Sequence, residues 1–365
     1  MRRTKLAACL AALAAASLVT ACGAGGSEAA AGSGPADGQP LVLRSETVAD
    51  AKLMDAARKE GTFTLYDNYP EEQWKNVVES FTHDTGIKVN HLRLATPNLY
   101  QRFTAEKAGG KQSADVVEFG DPTLMDQLSK KGYLQPYKSP LRGALPPQFQ
   151  NDDVYETYMQ ILMVPVYNTR VLQDSDAPTG WNQLLAGSAG KLGVTPITAG
   201  GSAFTVYNFL DTKAGPDGLR RLAAKKPRIY ESVVPLGQDL IRGEISLAIS
   251  DSGQTLQQIR QGAPLKPLYF PEGVPAIPNL SALASNAAHP NAAKVYENWL
   301  LSKAGGEAIV KGTSEYSVRA DVPGPTADGI DLPRPGSKNM VFPTEEDWLK
   351  RRTPLMNKWT SLFKS

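Results

Sequence analysis

The chain has 365 residues, 39 Lys and Arg against 37 Asp and Glu, and a formal net charge of +2. This balance gives no electrostatic footprint for nucleic acid, and three histidines (His83, His91, His289) argue against a His-rich metal cluster. Once the N-terminal segment is set aside, about 320 residues remain, enough for two domains rather than one.

The opening "MRRTKLAACLAALAAASLVTAC" carries Arg2, Arg3 and Lys5 and then runs small and apolar to Ala21. It reads as a signal peptide over residues 1–21, too short and too Ala-rich for a membrane span. Its end, "LVTAC", resembles the lipobox of bacterial lipoproteins, which makes Cys22 the lipid-modified first residue of the mature chain. An ordinary signal with an incidental cysteine is the other reading. The earlier "LAAC" at Leu6–Cys9 leaves no apolar core before the cut. Residues 22–45, rich in Gly, Ala and Ser, read as a lipidated cysteine and flexible tether. With Cys9 removed and Cys22 acylated, the two cysteines leave the mature fold no disulfide and no thiolate metal site. No cofactor is implied.

From Glu60 onward strands and helices alternate. "TFTLYD" is a strand, and Pro70 with Glu71 and Glu72 suits a helix start. Trp74, Val77, Val78 and Phe81 then recur at i, i+3, i+4 and i+7, one apolar face ended by Gly86. "IKVNHLRL" is a second strand, followed by a helix that Asn98 can cap. "ADVVEF" is a third strand, and "GDP" opens a helix with Asp121 as cap and Pro122 at its first position. The pattern βαβαβα predicts a mainly parallel sheet with helices on its faces. Ligands bind such sheets beyond the carboxyl ends of the strands, here Tyr66–Tyr69, Ala95–Asn98 and Glu118–Asp121.

Met159–Asn168 reads as a long apolar strand containing Pro165. "KLGVTP" and "EISLAIS" are strands of a second set. "ITAGGSAFTVYNFL" turns through Gly200 and Gly201 into a helix with Ser202 as cap, and Gln254–Gln261 is the helix after the polar loop "SDSGQT". "HPNAAKVYENWLLSKAGGEAIVK" is helical, and Thr344 with Asp347 forms a capping-box-like start to a C-terminal helical segment.

These stretches resemble the substrate-binding proteins of bacterial ABC importers, in the group that takes ferric iron, thiamine, phosphonates and sugar phosphates. The resemblance rests on an ordered set: "AARKEGTFTLYDNYPEEQWKNVVESFTHDTGIKV", "ADVVEFGDP", "VPVYNTRVL", "GWNQLLAGSAGKLGVTP", "LIRGEISLAIS" and "SNAAHPNAAKVYENWLLSKAGGEAI". It implies an α/β, two-lobed periplasmic-binding-protein-like fold of type II, with two crossover strands and a ligand cleft between the lobes. One lobe would span residues 53–157 plus 271–313, the other 158–270 plus 314–365. The implied function is capture of a small polar solute outside the membrane and its delivery to an ABC permease. The protein would be a lipid-anchored, extracytoplasmic monomer without catalytic activity.

The residues placed at strand ends are the candidate ligand contacts. Tyr66, Asp67, Asn68 and Tyr69 offer aromatic faces and hydrogen-bonding groups, or else form a solvated turn. Thr96, Glu118 and Asp121 are further candidates, although helix capping alone gives Asp121 a sufficient task. Gly200, Gly201 and Ser202 would place backbone N–H groups at a helix N-terminus, where an anion binds. Tyr167 belongs to the resemblance near the hinge. Asp251, Ser252 and Gln254, with Thr255, form the last wall. The acidic groups favour an amine or a metal and the Gly-Gly-Ser start favours an anion such as a phosphonate or a phosphate ester; a zwitterion such as an aminophosphonate reconciles both.

Alternative readings are ferric-iron binding and ligand sensing for a membrane receptor kinase. The family's ferric binders place adjacent tyrosines where this chain has "SDSGQT", and no tyrosine lies between Tyr230 and Tyr269. "LAGSAGK" fails as a phosphate loop, because its first Gly would fall on Leu185 and Lys191 is followed by Leu192. "SAGK", "SDS" and "KGT" echo penicillin-binding motifs in order, but two of the three depart from the pattern.

Overall fold

The computed structural model describes residues 34–150, 153–187, 190–334 and 336–363. The segment expected to be a signal peptide, Cys22 and the first part of the expected tether lie outside the described residues. Ordered structure begins before the tether's expected limit at residue 45: β1 (Leu41–Leu43) and β2 (Glu46–Ala49) form a hairpin. Asp50 then caps α1 (Ala51–Glu60), its carboxylate accepting the Leu53 N–H at 2.7 Å.

Three βα units follow: β3 (Thr62–Asp67), α2 (Glu71–Thr85), β4 (Lys88–Arg93), α3 (Thr96–Ala108), β5 (Val116–Phe119) and α4 (Pro122–Lys130). In α2 the apolar positions Trp74, Val77 and Phe81 are buried, as their spacing requires. Phe81 meets Phe63 and Tyr296 edge-on, with ring centroids 5.8 and 5.2 Å away. Asn98 does not cap α3. That helix begins at Thr96 with Ala95 in the cap position, because Pro97 is tolerated in a first turn, where its missing N–H costs nothing. Asp121 does cap α4, accepting the Leu124 N–H at 3.3 Å.

Next come β6 (Glu156–Asn168), α5 (Trp181–Ala186), β7 (Leu192–Val194), α6 (Gly201–Thr212), α7 (Gly218–Ala224), β8 (Arg228–Ile229), α8 (Val233–Arg242) and β9 (Leu247–Asp251). They are followed by α9 (Ser252–Arg260), β10 (Leu265–Pro267), β11 (Val274–Leu283), α10 (Pro290–Leu301), α11 (Lys303–Thr313), β12 (Tyr316–Ser317), β13 (Met340–Val341) and α12 (Arg352–Phe363). Two helix starts differ from expectation. Gly200, not Ser202, is the cap of α6, since its φ of 141° suits glycine. The polar run "SDSGQT" is no loop, because Asp251 caps α9 directly and accepts the Gln254 N–H at 2.8 Å. The Thr344–Asp347 capping box is present in both directions, at 2.8 and 3.1 Å.

The main sheet runs β4-β3-β5-β11-β6-β9-β7-β8. β3, β4 and β5 are parallel to one another, as are β7, β8 and β9. The two sets are joined by the antiparallel pair β6 and β11. Residues Glu156–Leu162 of β6 pair with β11, and Met163–Tyr167 pair with β9. One long strand therefore belongs first to one half and then to the other. This is an α/β, two-lobed fold in which the carboxyl ends of both parallel sets point toward a shared cleft.

Candidate functional site

The cleft holds a small cavity of about 70 Å³. Asn68 and Tyr69 reach it from the end of β3, Arg93 from the end of β4 and Gly120 from the end of β5. Gly201 and Ser202 come from the start of α6, and Asp251 from the junction of β9 and α9. The crossing strands supply Ile161, Met163, Ile277 and Asn279 as its floor.

The polar atoms here are incompletely paired, which is costly unless a solute completes them. Asn68 donates to Thr96 Oγ1 at 3.1 Å and leaves its Oδ1 buried without a partner. Asn279 donates to the Tyr158 hydroxyl at 2.6 Å and likewise leaves Oδ1 unpartnered. Arg93 Nε is buried without an acceptor. The first turn of α6 adds backbone N–H groups that have no partner within their own helix. The site thus offers donors and positive charge on one side, and acceptors and the Asp251 carboxylate on others.

The walls are in direct contact. A Cβ on Gly201 would lie 1.6 Å from the Gly120 carbonyl oxygen, so only glycine permits this approach. Gly200 faces Thr96, whose Oγ1 would lie 3.2 Å from an added Cβ. Loops of the β3–β5 half therefore meet the start of α6 in the other half, which is a closed cleft.

Several expected contacts are turned elsewhere. Tyr66 points into the core beside Leu99 and Phe103, and its hydroxyl donates to Glu106 at 3.0 Å, because it lies on the opposite sheet face from Leu65. Asp67 is fully buried and pairs with His91 at 2.9 Å. Burial first, then hydrogen bonding and charge from Asp67, act on His91, with a net upward shift. Glu118 lies beneath the floor, accepting from Tyr158 and Ser281 at 3.0 Å each, and burial holds it well above the usual carboxylate range. Asp121 pairs with Arg352 at 2.6 Å. Tyr167 donates to Asp174 at 2.7 Å, at the far end of β6. Ser252 shares a 2.6 Å hydrogen bond with Tyr269, and Gln254 is buried in α9. Of the candidates, Asn68, Tyr69, Gly201, Ser202 and Asp251 line the cavity, with Thr96 and Gly200 at its edge.

Three residues in or beside the cavity were not anticipated from the sequence. Arg93 was detectable, since it ends a strand of the parallel set. Asn279 sits inside a proline-punctuated strand and gave no signal. Glu315, fully buried between α11 and β12, accepts from the Tyr69 hydroxyl and the Gly253 N–H at 3.2 Å each.

Residues 72–312 match the sequence profile described as bacterial extracellular solute-binding protein. An uncharacterized protein of Haemophilus influenzae is 24% identical over 271 residues, covering 70% of this chain and 77% of that protein. The periplasmic binding protein AfuA of Actinobacillus pleuropneumoniae, solved with exogenous fructose-6-phosphate bound, superposes with a TM-score of 0.71 at 20% identity. That match covers 84% of this chain and 99% of AfuA. Iron-bound HitA of Pseudomonas aeruginosa gives 0.67 at 20% identity, covering 82% of this chain and 99% of HitA.

Proposed function

The chain belongs to the bacterial extracellular solute-binding proteins and serves as the solute-binding component of an ABC importer; from that premise we propose that its solute is small, polar and carries an anionic group. The observation that carries the solute class is the buried, unpaired Nε of Arg93, which shares the cavity with the start of α6. A guanidinium and a helix N-terminus together favour a phosphate, phosphonate or carboxylate. Asn68 Oδ1, Asn279 Oδ1 and Asp251 accept hydrogen bonds, so the remainder of the solute would supply hydroxyl or ammonium donors.

Capture follows from closure. With the lobes apart, water solvates these groups. When Gly201 meets Gly120, water is excluded and each polar contact to the solute strengthens. The closed, loaded form is what a permease would recognise. No catalytic role is proposed. A signal peptide ending before a lipidated Cys22, with a tether to the folded part, would hold the protein at the outer face of the membrane. Among the described residues no helix is long and apolar enough to cross a membrane.

Ferric-iron binding is not favoured. The tyrosine hydroxyls around the cavity have other partners: Tyr69 donates to Glu315, and Tyr269 is bonded to Ser252. A receptor-kinase sensor has no specific observation in its favour.

The test is mass spectrometry of solute released from gently purified protein, with a thermal-shift panel of phosphonates, sugar phosphates, thiamine, polyamines and ferric citrate. Anionic organic solutes are expected to raise Tm, and Arg93→Gln to weaken that response roughly tenfold or more in affinity. Stabilisation by ferric ion alone, with tyrosinate-to-iron colour, would overturn the assignment.

A further inference from the structure

Glu315 occupies a position that neither solute contact nor packing explains. It follows α11, immediately before β12 pairs with β6, and so lies where the two halves join. Its side chain is fully buried. Oε1 accepts from Tyr69 on one cavity wall and from the Gly253 N–H on the other, both at 3.2 Å. Oε2 is buried and has no donor directed at it. The acidic side chain beside it is Asp251, which caps α9 and lines the cavity. Among the described residues, the ionisable groups that act most strongly on this cluster are Asp251, Tyr69, Tyr269 and Tyr316, none of them a cation. Arg260, near this turn, is spent on Ser314 Oγ and the Thr326 carbonyl. Gly253 is small for the same reason: a Cβ there would lie 2.4 Å from Glu315 Oε1.

Among the described residues no cation is ion-paired with either of these two adjacent buried carboxylates, so both cannot be charged. We propose that Glu315 is a positioning residue acting as a neutral acid, its Oε2–H donating to Asp251 while its Oε1 holds Tyr69 and the start of α9. The proton resides on Oε2 and the negative charge on Asp251. The direction of titration agrees: burial, then the charge of Asp251, raise Glu315 well above the ordinary carboxylate range. Asp251 is raised by burial and drawn back by the bond from Glu315. The cavity therefore presents one negative charge, on Asp251, opposite one positive charge, on Arg93. For the solute, and resting on the function proposed above, this favours a zwitterion or a singly charged anion with donors over a di-cation.

Glu315→Gln tests the idea, because an amide retains the acceptor oxygen and replaces O–H with N–H as donor. A group whose folded pKa is raised stabilises fully below its unfolded pKa and loses that contribution as pH rises toward the folded value. Glu315→Gln lacks this loss. Its Tm is expected to match the wild type near pH 4 and to exceed it by about 2–4 °C at pH 8. Glu315→Ala, which leaves Tyr69 and Gly253 unpartnered, is expected to be less stable at every pH. The wild-type-minus-Gln infrared difference spectrum at pH 7 should show a protonated carboxyl C=O stretch. A Gln variant that is less stable throughout, or a gap that does not change with pH, or a carboxylate band in the difference spectrum, would overturn the proposal. None of these readouts needs a solute, so they can fail without touching the solute assignment, and the reverse also holds.

Discussion

Arg352 should be a major tie between the cleft loops and the C-terminal segment. Its Nη1 lies 2.6 Å from Asp121 Oδ2 and 2.9 Å from Thr123 Oγ1. The guanidinium carbon also lies 5.9 Å from the ring centres of Phe204 and Trp348, residues of the other half and of the tail. The Asp121 side chain is 0% exposed and that of Arg352 is 24% exposed. Arg352→Met would keep most of the packing and remove the charge. Asp121 would then be a fully buried carboxylate with one oxygen unpaired. Removing one partner of a buried pair costs about 3–5 kcal/mol, and the partial exposure of Arg352 places this case near about 3 kcal/mol. Asp121→Asn keeps an oxygen to cap α4 and removes the charge, so it should cost about 1–2 kcal/mol. In the double variant neither charge is stranded. The two losses should therefore fail to add, with a coupling of about 1–2 kcal/mol. Urea unfolding of the four proteins, followed by tryptophan fluorescence, measures the cycle. Additive losses, or an Arg352→Met cost below about 1 kcal/mol, would refute a buried tie and make the pair an exposed one.

Further outcomes are expected elsewhere. Gly201→Ala puts a methyl 1.6 Å from the Gly120 carbonyl, so the chain should fold but scatter as a wider particle; an unchanged radius of gyration would show that the walls need not touch. Burial holds Glu297 up at about 8, so the stability lost by the wild type between pH 4.5 and 8 should be absent from Glu297→Gln. The Tm gap between the two proteins should widen across that window and then level off. Thr344→Ala removes the reciprocal capping box and should cost about 1 kcal/mol, visible as faster amide exchange at Asp347.

Much of the fold was legible because its determinants are local. The apolar period of Trp74, Val77 and Phe81 and the Asp121–Pro122 start each depend on a few neighbouring residues. Near misses were local too. Pro97 outranked Asn98 as the mark of a helix start, and Asp251 was read as a loop residue when its carboxylate was already a cap. Side-chain direction at strand ends was harder to read. Tyr66 and Tyr69 are three residues apart and chemically alike, yet one bonds Glu106 in the core and the other lines the cavity. The pleat sends neighbours to opposite faces, and the turn after Asp67 resets that alternation in a way no periodicity records.

By itself, then, the sequence determined the order of strands and helices, the ordered family resemblance, and which loops would stand at strand ends. Those follow from short-range preference and apolar spacing. Only the tertiary structure decided which atoms are left unpaired in the cleft, and which distant residues set their charge. Glu315 reaches Tyr69 across 246 positions of chain, and Arg352 reaches Thr123 across 229. Contacts at that separation depend on how the two halves close on each other, and closure depends on glycines whose significance appears only once a carbonyl oxygen lies against them.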